Sequence, residues 1–153
     1  MIITSELLRQ KYKEVSTYIL YPIGTLDKRY VIPTVEQWEL CHQHCDRYKR
    51  MVFSEEISDC DNFALQYYAD FTWNWMNWTK GDTFAEDSHN IVRKFYYQAA
   101  IGIATGLMFR GHKGSHTVTC TYREDGFIIF DPLNKELYEL DPKQDIIIKV
   151  EMP

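Results

Sequence analysis

Cysteine, histidine and aspartate side chains in this chain are spaced so that they could perform nucleophilic chemistry. Cys60 follows Ser58 and Asp59, two residue types that commonly cap the start of a helix. His116 opens a short apolar run, and Asp131 closes the next one. A thiolate attacks a carbonyl carbon when an imidazole lies within hydrogen-bond reach and a carboxylate orients that imidazole. The three residues therefore predict a catalytic triad of Cys60, His116 and Asp131.

The position of Cys60 at the start of a helix favours an activated thiol. Unpaired backbone N–H groups and the positive end of the helix dipole stabilise a thiolate there, and a backbone N–H can also hold an oxyanion. Helical spacing places Cys60 on one face with Ala64, Tyr67 and Phe71, which indicates that it points toward the sheet. The alternative is a buried, inert helical thiol.

The loop between two predicted strands decides whether His116 and Asp131 can meet. If Tyr122 faces Phe127 across an antiparallel hairpin, Asp131 faces Val118, and His116 lies two positions further on the same face. Such diagonal pairs are about 7–8 Å apart, within reach of the two side chains. A tighter Asp-Gly turn would separate them by about 13 Å along the strand. The triad therefore requires the longer loop or a bulge.

The roles of several of these residues can be interpreted in another way. His112, inside a turn flanked by glycines, is a rival base, and Asp131 before Pro132 could simply begin a turn. Cys41 and Cys45 stand four residues apart on one helix face and could form half of a zinc site.

Packing is the preferred interpretation of the remaining cysteines and tryptophans. Cys41 and Cys45 share an apolar stripe, from which the neighbouring histidines are expected to face away, and Cys120 alternates with apolar strand residues. Trp73, Trp75 and Trp78 could form a sugar- or peptide-binding platform, but the spacing favours the core. The candidate zinc and platform residues are Cys41, His42, His44, Cys45, Trp73, Trp75 and Trp78.

Helix signals come first in the chain and strand signals follow. The second helix has the clearest start, since Thr34 and Gln37 fit a capping box. The order of elements predicts an α+β domain with helices packed on a C-terminal antiparallel sheet. Helices are predicted over 5–15, from 34, from 59 and over 88–97, an extended piece over 17–21, and strands over 99–109, 117–122, 127–130, 136–140 and 146–150. Gly102 and Gly106 leave the segment 99–109 ambiguous between strand and helix.

Length and composition limit the remaining possibilities. The 153 residues predict one domain, 1–153, and no apolar run approaches the ~18 residues of a membrane span. The first residues lack the features of a signal peptide, so a cytoplasmic protein with reduced thiols is expected. The formal net charge of −5 disfavours nucleic-acid binding.

Three short motifs resemble those of papain-like and transglutaminase-like cysteine peptidases. They are Asp59-Cys60-Asp61-Asn62-Phe63-Ala64, Gly114-Ser115-His116-Thr117-Val118 and Phe130-Asp131-Pro132. The chain looks most like the bacterial transglutaminase-like cysteine proteinases and the protease domain at the C-terminal end of a mushroom agglutinin, with its short phage and bacterial look-alikes. The resemblance covers roughly residues 27–140. It implies a papain-like fold with a nucleophile helix.

The resemblance also implies a function. Cys60 would attack an amide or peptide bond, His116 would carry the proton, and Asp131 would orient the imidazole, giving a cysteine peptidase or amidase that acts through an acyl-enzyme. No cofactor is expected, although calcium beside Asp61 is possible in such a family. The expected partner is a protein or peptide substrate. The alternatives are acyl transfer to an amine, a catalytically silent binding or inhibitory module, and a zinc-stabilised structural protein.

Overall fold

Two β-sheets and three α-helices make up the described part of the chain. The computed structural model describes residues 1–15, 24–25, 29–54, 59–78 and 98–152. The helices are α1 (Ser5–Val15), α2 (Val35–Gln43) and α3 (Cys60–Trp78), with a 3-10 turn at Tyr48–Arg50. The strands are β1 (Ile2–Thr4), β2 (Gly24–Thr25), β3 (Arg29–Val31), β4 (Gln98–Ala99), β5 (Ile101–Phe109), β6 (His112–Arg123), β7 (Gly126–Asp131), β8 (Glu136–Glu139) and β9 (Ile146–Met152).

The larger sheet has six strands in the order β2-β9-β5-β6-β7-β8. Its neighbours pair antiparallel, except that β2 runs parallel to β9. In the β6–β7 hairpin Tyr122 pairs with Phe127, and the ladder continues to Arg123 and Gly126. This is the register that brings His116 diagonally opposite the end of β7, as the triad prediction required.

Each face of the larger sheet is covered by a different helix. Because side chains alternate along a strand, Val118 and Ile129 point to one face and pack with Leu8 and Tyr12 of α1. Phe130, on the alternate face, packs with residues of α2 and α3. The sheet therefore separates two apolar clusters, which we call the α1 face and the α3 face.

Local signals account for the helix boundaries. The Thr34 hydroxyl accepts the Gln37 N–H, and the Gln37 side chain accepts the Thr34 N–H, so α2 begins with the predicted capping box. Helix α1 covers the predicted residues 5–15 and α3 begins at Cys60, also as predicted. The predicted helix at 88–97 and extended piece at 17–21 lie outside the described residues.

The expected papain-like arrangement of helices on a C-terminal antiparallel sheet needs correction. Strands β1 and β3 lie in the N-terminal region and join β4 in a second, three-stranded sheet, in which β3 and β4 run parallel. Strands of two or three residues are too short to show a periodic pattern, so the sequence did not reveal them. Strand β6 also begins at His112, so His116 lies inside the strand and does not open it.

Candidate functional site

An open cleft lies where the start of α3 meets the larger sheet. Its volume is about 550 Å³. Strands β5, β6 and β9 form its floor, and the first turns of α3 form one wall. Most of the lining groups are polar, and the full set is Cys60, Asp61, Asn62, Leu65, Ile103, Thr105, Ser115, Thr117, Lys149 and Glu151.

Cys60 is the first residue of α3 and is partly buried beside this cleft. Its thiol lies 3.5 Å from Asp61 Oδ1, to which it donates a weak hydrogen bond. Burial raises the pKa of the Cys60 thiol above its ordinary value, and hydrogen bonds from the backbone and hydroxyl of Thr117 only partly oppose this effect. Cys60 is therefore mostly a neutral thiol at neutral pH.

His116 and Asp131 form a tight pair at the end of β7. His116 Nε2 lies 2.6 Å from Asp131 Oδ2, and only 4 % of Asp131 is exposed. The carboxylate also accepts hydrogen bonds from the Leu133 N–H, the Asn134 N–H and the Asn134 side chain. Burial alone would raise the pKa of Asp131, but the hydrogen bonds from His116 and Asn134 outweigh it and hold the pKa below its ordinary value.

The sheet places the thiol and the imidazole on different faces. His116 alternates with Val118 and Cys120, which belong to the α1 face. Thr117, the hydrogen-bond partner of Cys60, points the opposite way, and its hydroxyl lies 3.3 Å from that of Thr105. In the part of the chain that the structure describes, no hydrogen bond joins Cys60 to His116. The structure thus brings together two of the three predicted triad residues and not the third.

The other cysteines are core residues. Cys41, Cys45 and Cys120 are fully buried, as the sequence predicted. Burial raises the pKa of Cys41 and of Cys120 to about 12, and the Cys45 thiol donates to the Cys41 carbonyl at 3.2 Å. Among the described residues no group of three or more His, Cys, Asp or Glu side chains could hold a metal ion. The described residues therefore provide no ligand set for the hypothesised zinc site or for the possible calcium ion.

One histidine and one tryptophan depart from the expected packing. His42 was expected to face away from the apolar stripe, yet its ring stacks on Trp38 at 4.7 Å and its Nδ1 lies 2.8 Å from the Tyr67 hydroxyl. Burial, with a smaller effect of Lys49, lowers the pKa of His42 to about 4. Trp75 is buried as expected, whereas Trp73 is 62 % exposed.

Two residues with clear roles at these sites were not singled out from the sequence. Thr117 is hydrogen-bonded to the Cys60 sulfur, and Asn134 supplies two of the hydrogen bonds to Asp131. The Asp131-Pro132-Leu133-Asn134 stretch carries a usable signal, because an Asp side chain often accepts from backbone N–H groups two and three residues later. Nothing in the sequence around Thr117 indicates its contact with α3.

Comparison with known proteins shows that this chain shares its fold with about half of each of two solved chains. No known family and no curated protein matches the chain. A solved structure titled "PSL1a-E64 complex" matches with a TM-score of 0.67 and 15 % identity, over 99 % of this chain and 51 % of that chain. A structure of Polyporus squamosus lectin, bound to the human-type influenza-binding epitope Neu5Aca2-6Galb1-4GlcNAc, matches with a TM-score of 0.68 and 15 % identity, over 99 % and 49 %. This chain spans about half the length of those chains, and the likeness shows the fold alone.

These matches correct the expectation drawn from the three motifs. Their titles name a lectin and a PSL1a complex, and neither names a cysteine peptidase. The resemblance to papain-like and transglutaminase-like peptidases, the papain-like fold class and the hydrolase activity are overturned on this finding. Cys60, His116 and Asp131 were predicted as a set from their residue types and positions in the chain as well as from those motifs, and as functional residues they stay a prediction. In addition, no helix in the described part of the chain has the length and apolar character needed to cross a membrane.

Proposed function

We propose that residues 1–153 form one binding domain, and that the cleft beside Cys60 holds a short polar ligand of the peptide class. The observation that carries this proposal is the cleft itself, whose lining groups come from four separate elements. Its volume of about 550 Å³ lies in the range of small-ligand sites in proteins. Both similar structures hold a second component, a saccharide epitope in one and E64 in the other, which supports a binding role.

The chemistry of the lining suits a peptide main chain. A peptide presents N–H donors and C=O acceptors in alternation, so its binding site needs both kinds of partner. The cleft offers acceptors in the carboxylates of Asp61 and Glu151, and donors in the Lys149 ammonium and the side-chain NH2 of Asn62. Leu65 is 54 % exposed at the same wall and provides apolar contact area for a side chain.

The Lys149–Glu151 pair provides the sharpest test of this cleft. The two side chains are 2.7 Å apart and about half exposed, so they are free to exchange partners with a ligand. Changing both residues to serine keeps the net charge and removes one donor group and one acceptor group from the cleft. The Lys11–Glu14 pair on α1, at 2.8 Å and similar exposure, offers a matched control outside the cleft.

The Lys149→Ser/Glu151→Ser variant is expected to bind peptides about tenfold more weakly than the unmodified protein, which corresponds to about 1.4 kcal/mol. Synthetic peptides on an array identify the ligands, and fluorescence titration of the retained peptides measures their dissociation constants. The Lys11→Ser/Glu14→Ser control should bind as the unmodified protein does. Retention of no peptide, equal weakening in both variants, or retention of saccharides alone on a parallel glycan array would contradict the proposal.

A further inference from the structure

We infer that a second pocket, on the α1 face of the sheet, is a binding site for a small anion that carries a ring. This pocket has a volume of about 340 Å³ and lies around the His116–Asp131 pair, where β5, β6 and β8 meet the turn after β7. It shares the lining residue Ser115 with the cleft described above, whereas Cys60 and Thr117 line that cleft and not this pocket. The inference is independent of the proposed peptide site.

The pocket has spare hydrogen-bond donors, while its buried carboxylate is engaged. Asp131 already accepts from His116 and from the turn that follows it, and the charge of the other carboxylate, Glu136, is balanced by Arg110 at 3.3 Å. Lys113 and His112 line the same pocket and are exposed, and the described residues show no ion pair for either. A ligand that brings acceptor oxygens and negative charge would therefore find free partners, whereas a cation would not.

The pocket wall is apolar and aromatic. Phe109 and Tyr138 line it, and the Arg110 guanidinium lies over the Tyr138 ring, 5.1 Å from its centre. The Phe109 ring also packs edge-on against His116 at 6.0 Å. These flat groups favour a ligand whose charged group is attached to a ring, because the ring can pack against them while the charge meets the donors.

The chain that presents Arg110 is held in a strained conformation. Arg110 has φ +49°, in the left-handed region that few residues other than glycine adopt, and Gly111 follows with φ +78°. Asp145, only 2 % exposed, accepts the Arg110 N–H at 2.8 Å and the Asp141 N–H at 2.7 Å. These bonds fix the turn before a ligand arrives, which lowers the ordering cost of binding.

Titration of the full chain, followed by backbone amide NMR, tests the inference with three probes. Benzoate and phenyl phosphate carry a ring and an anion, and benzylamine carries the same ring with a cation. At least one of the anions should produce saturable changes in amide chemical shift, confined to residues around 109–116 and 131–138. Benzylamine should produce no such changes. The anion that binds more tightly, benzoate or phenyl phosphate, identifies the ligand as a carboxylate or a phosphate.

The variant Lys113→Glu should weaken anion binding about fivefold, the range expected for one exposed charge. The control Lys13→Glu makes the same charge change on α1 and should leave the affinity unchanged, as should Lys149→Ser/Glu151→Ser. Equal binding of benzylamine, absence of saturable shifts with both anions, or equal weakening by Lys13→Glu would overturn the inference.

Discussion

Replacing Asp131 with alanine is expected to destabilise the domain by about 3 kcal/mol. The change removes a buried carboxylate that accepts from His116, Leu133 and Asn134, and it leaves their donors without a partner. Donors left unsatisfied in a buried site cost roughly 1–3 kcal/mol each where they cannot reach water. Urea unfolding of the variant and the unmodified protein measures the difference.

Asp46 provides the matched control for this experiment. It is 60 % exposed and paired with Lys49 at 2.8 Å, so Asp46→Ala should cost less than about 1 kcal/mol.

The variant Asp131→Asn keeps the size of the side chain and removes its charge. Because the folded pKa of Asp131 is lowered, its ionised form stabilises the fold above the unfolded pKa, and this contribution is lost as pH falls from about 4 through the folded value. The Asn variant should lack that part of the pH dependence, and an identical pH profile would contradict this account of Asp131.

Replacing Gly106 with alanine is expected to cost about 3 kcal/mol. A Cβ at this position would lie 2.5 Å from the Ile146 carbonyl oxygen and 2.7 Å from the Phe109 ring. The contact with backbone leaves little room for adjustment, since β5 is paired with β6 and β9 on both sides. Thermal or urea unfolding measures the loss.

Gly111→Ala is the control for Gly106→Ala. Gly111 has φ +78°, but a Cβ there would meet no atom within 4 Å, so only the backbone penalty of about 1 kcal/mol applies. If Gly106→Ala unfolds at the same urea concentration as Gly111→Ala, then the close approach of β9 to β5 does not constrain this site.

Local patterns predicted the elements that carry their own signals. The capping residues placed the starts of α2 and α3. For the β6–β7 hairpin the sequence left two registers open, and the structure has the one in which Tyr122 pairs with Phe127. The pairing of His116 with Asp131 could be predicted for that register, because both residues lie on adjacent strands, where alternation and register fix the geometry.

The position of Cys60 relative to His116 could not be derived in the same way. The sequence shows that Cys60 shares a helix face with Tyr67 and Phe71, but it does not show which face of the sheet that helix covers. In the structure α3 packs on the face of Phe130, whereas His116 points to the face of Val118. Which face of the sheet α3 covers depends on the long-range packing of α1 and α3, and no short motif encodes that packing.

Alkylation of Cys60 by iodoacetamide tests most directly the central claim, that the thiol and the His116 imidazole belong to separate sites. Cys60 is partly exposed and the other three cysteines are buried, so mass spectrometry can follow its modification alone. Because burial raises the pKa of Cys60, the account predicts slow reaction near pH 6, a rate that climbs with pH above neutrality, and no change in His116→Ala. Fast alkylation at about pH 6 that disappears in His116→Ala would contradict it and would restore the activated thiol that the motifs suggested.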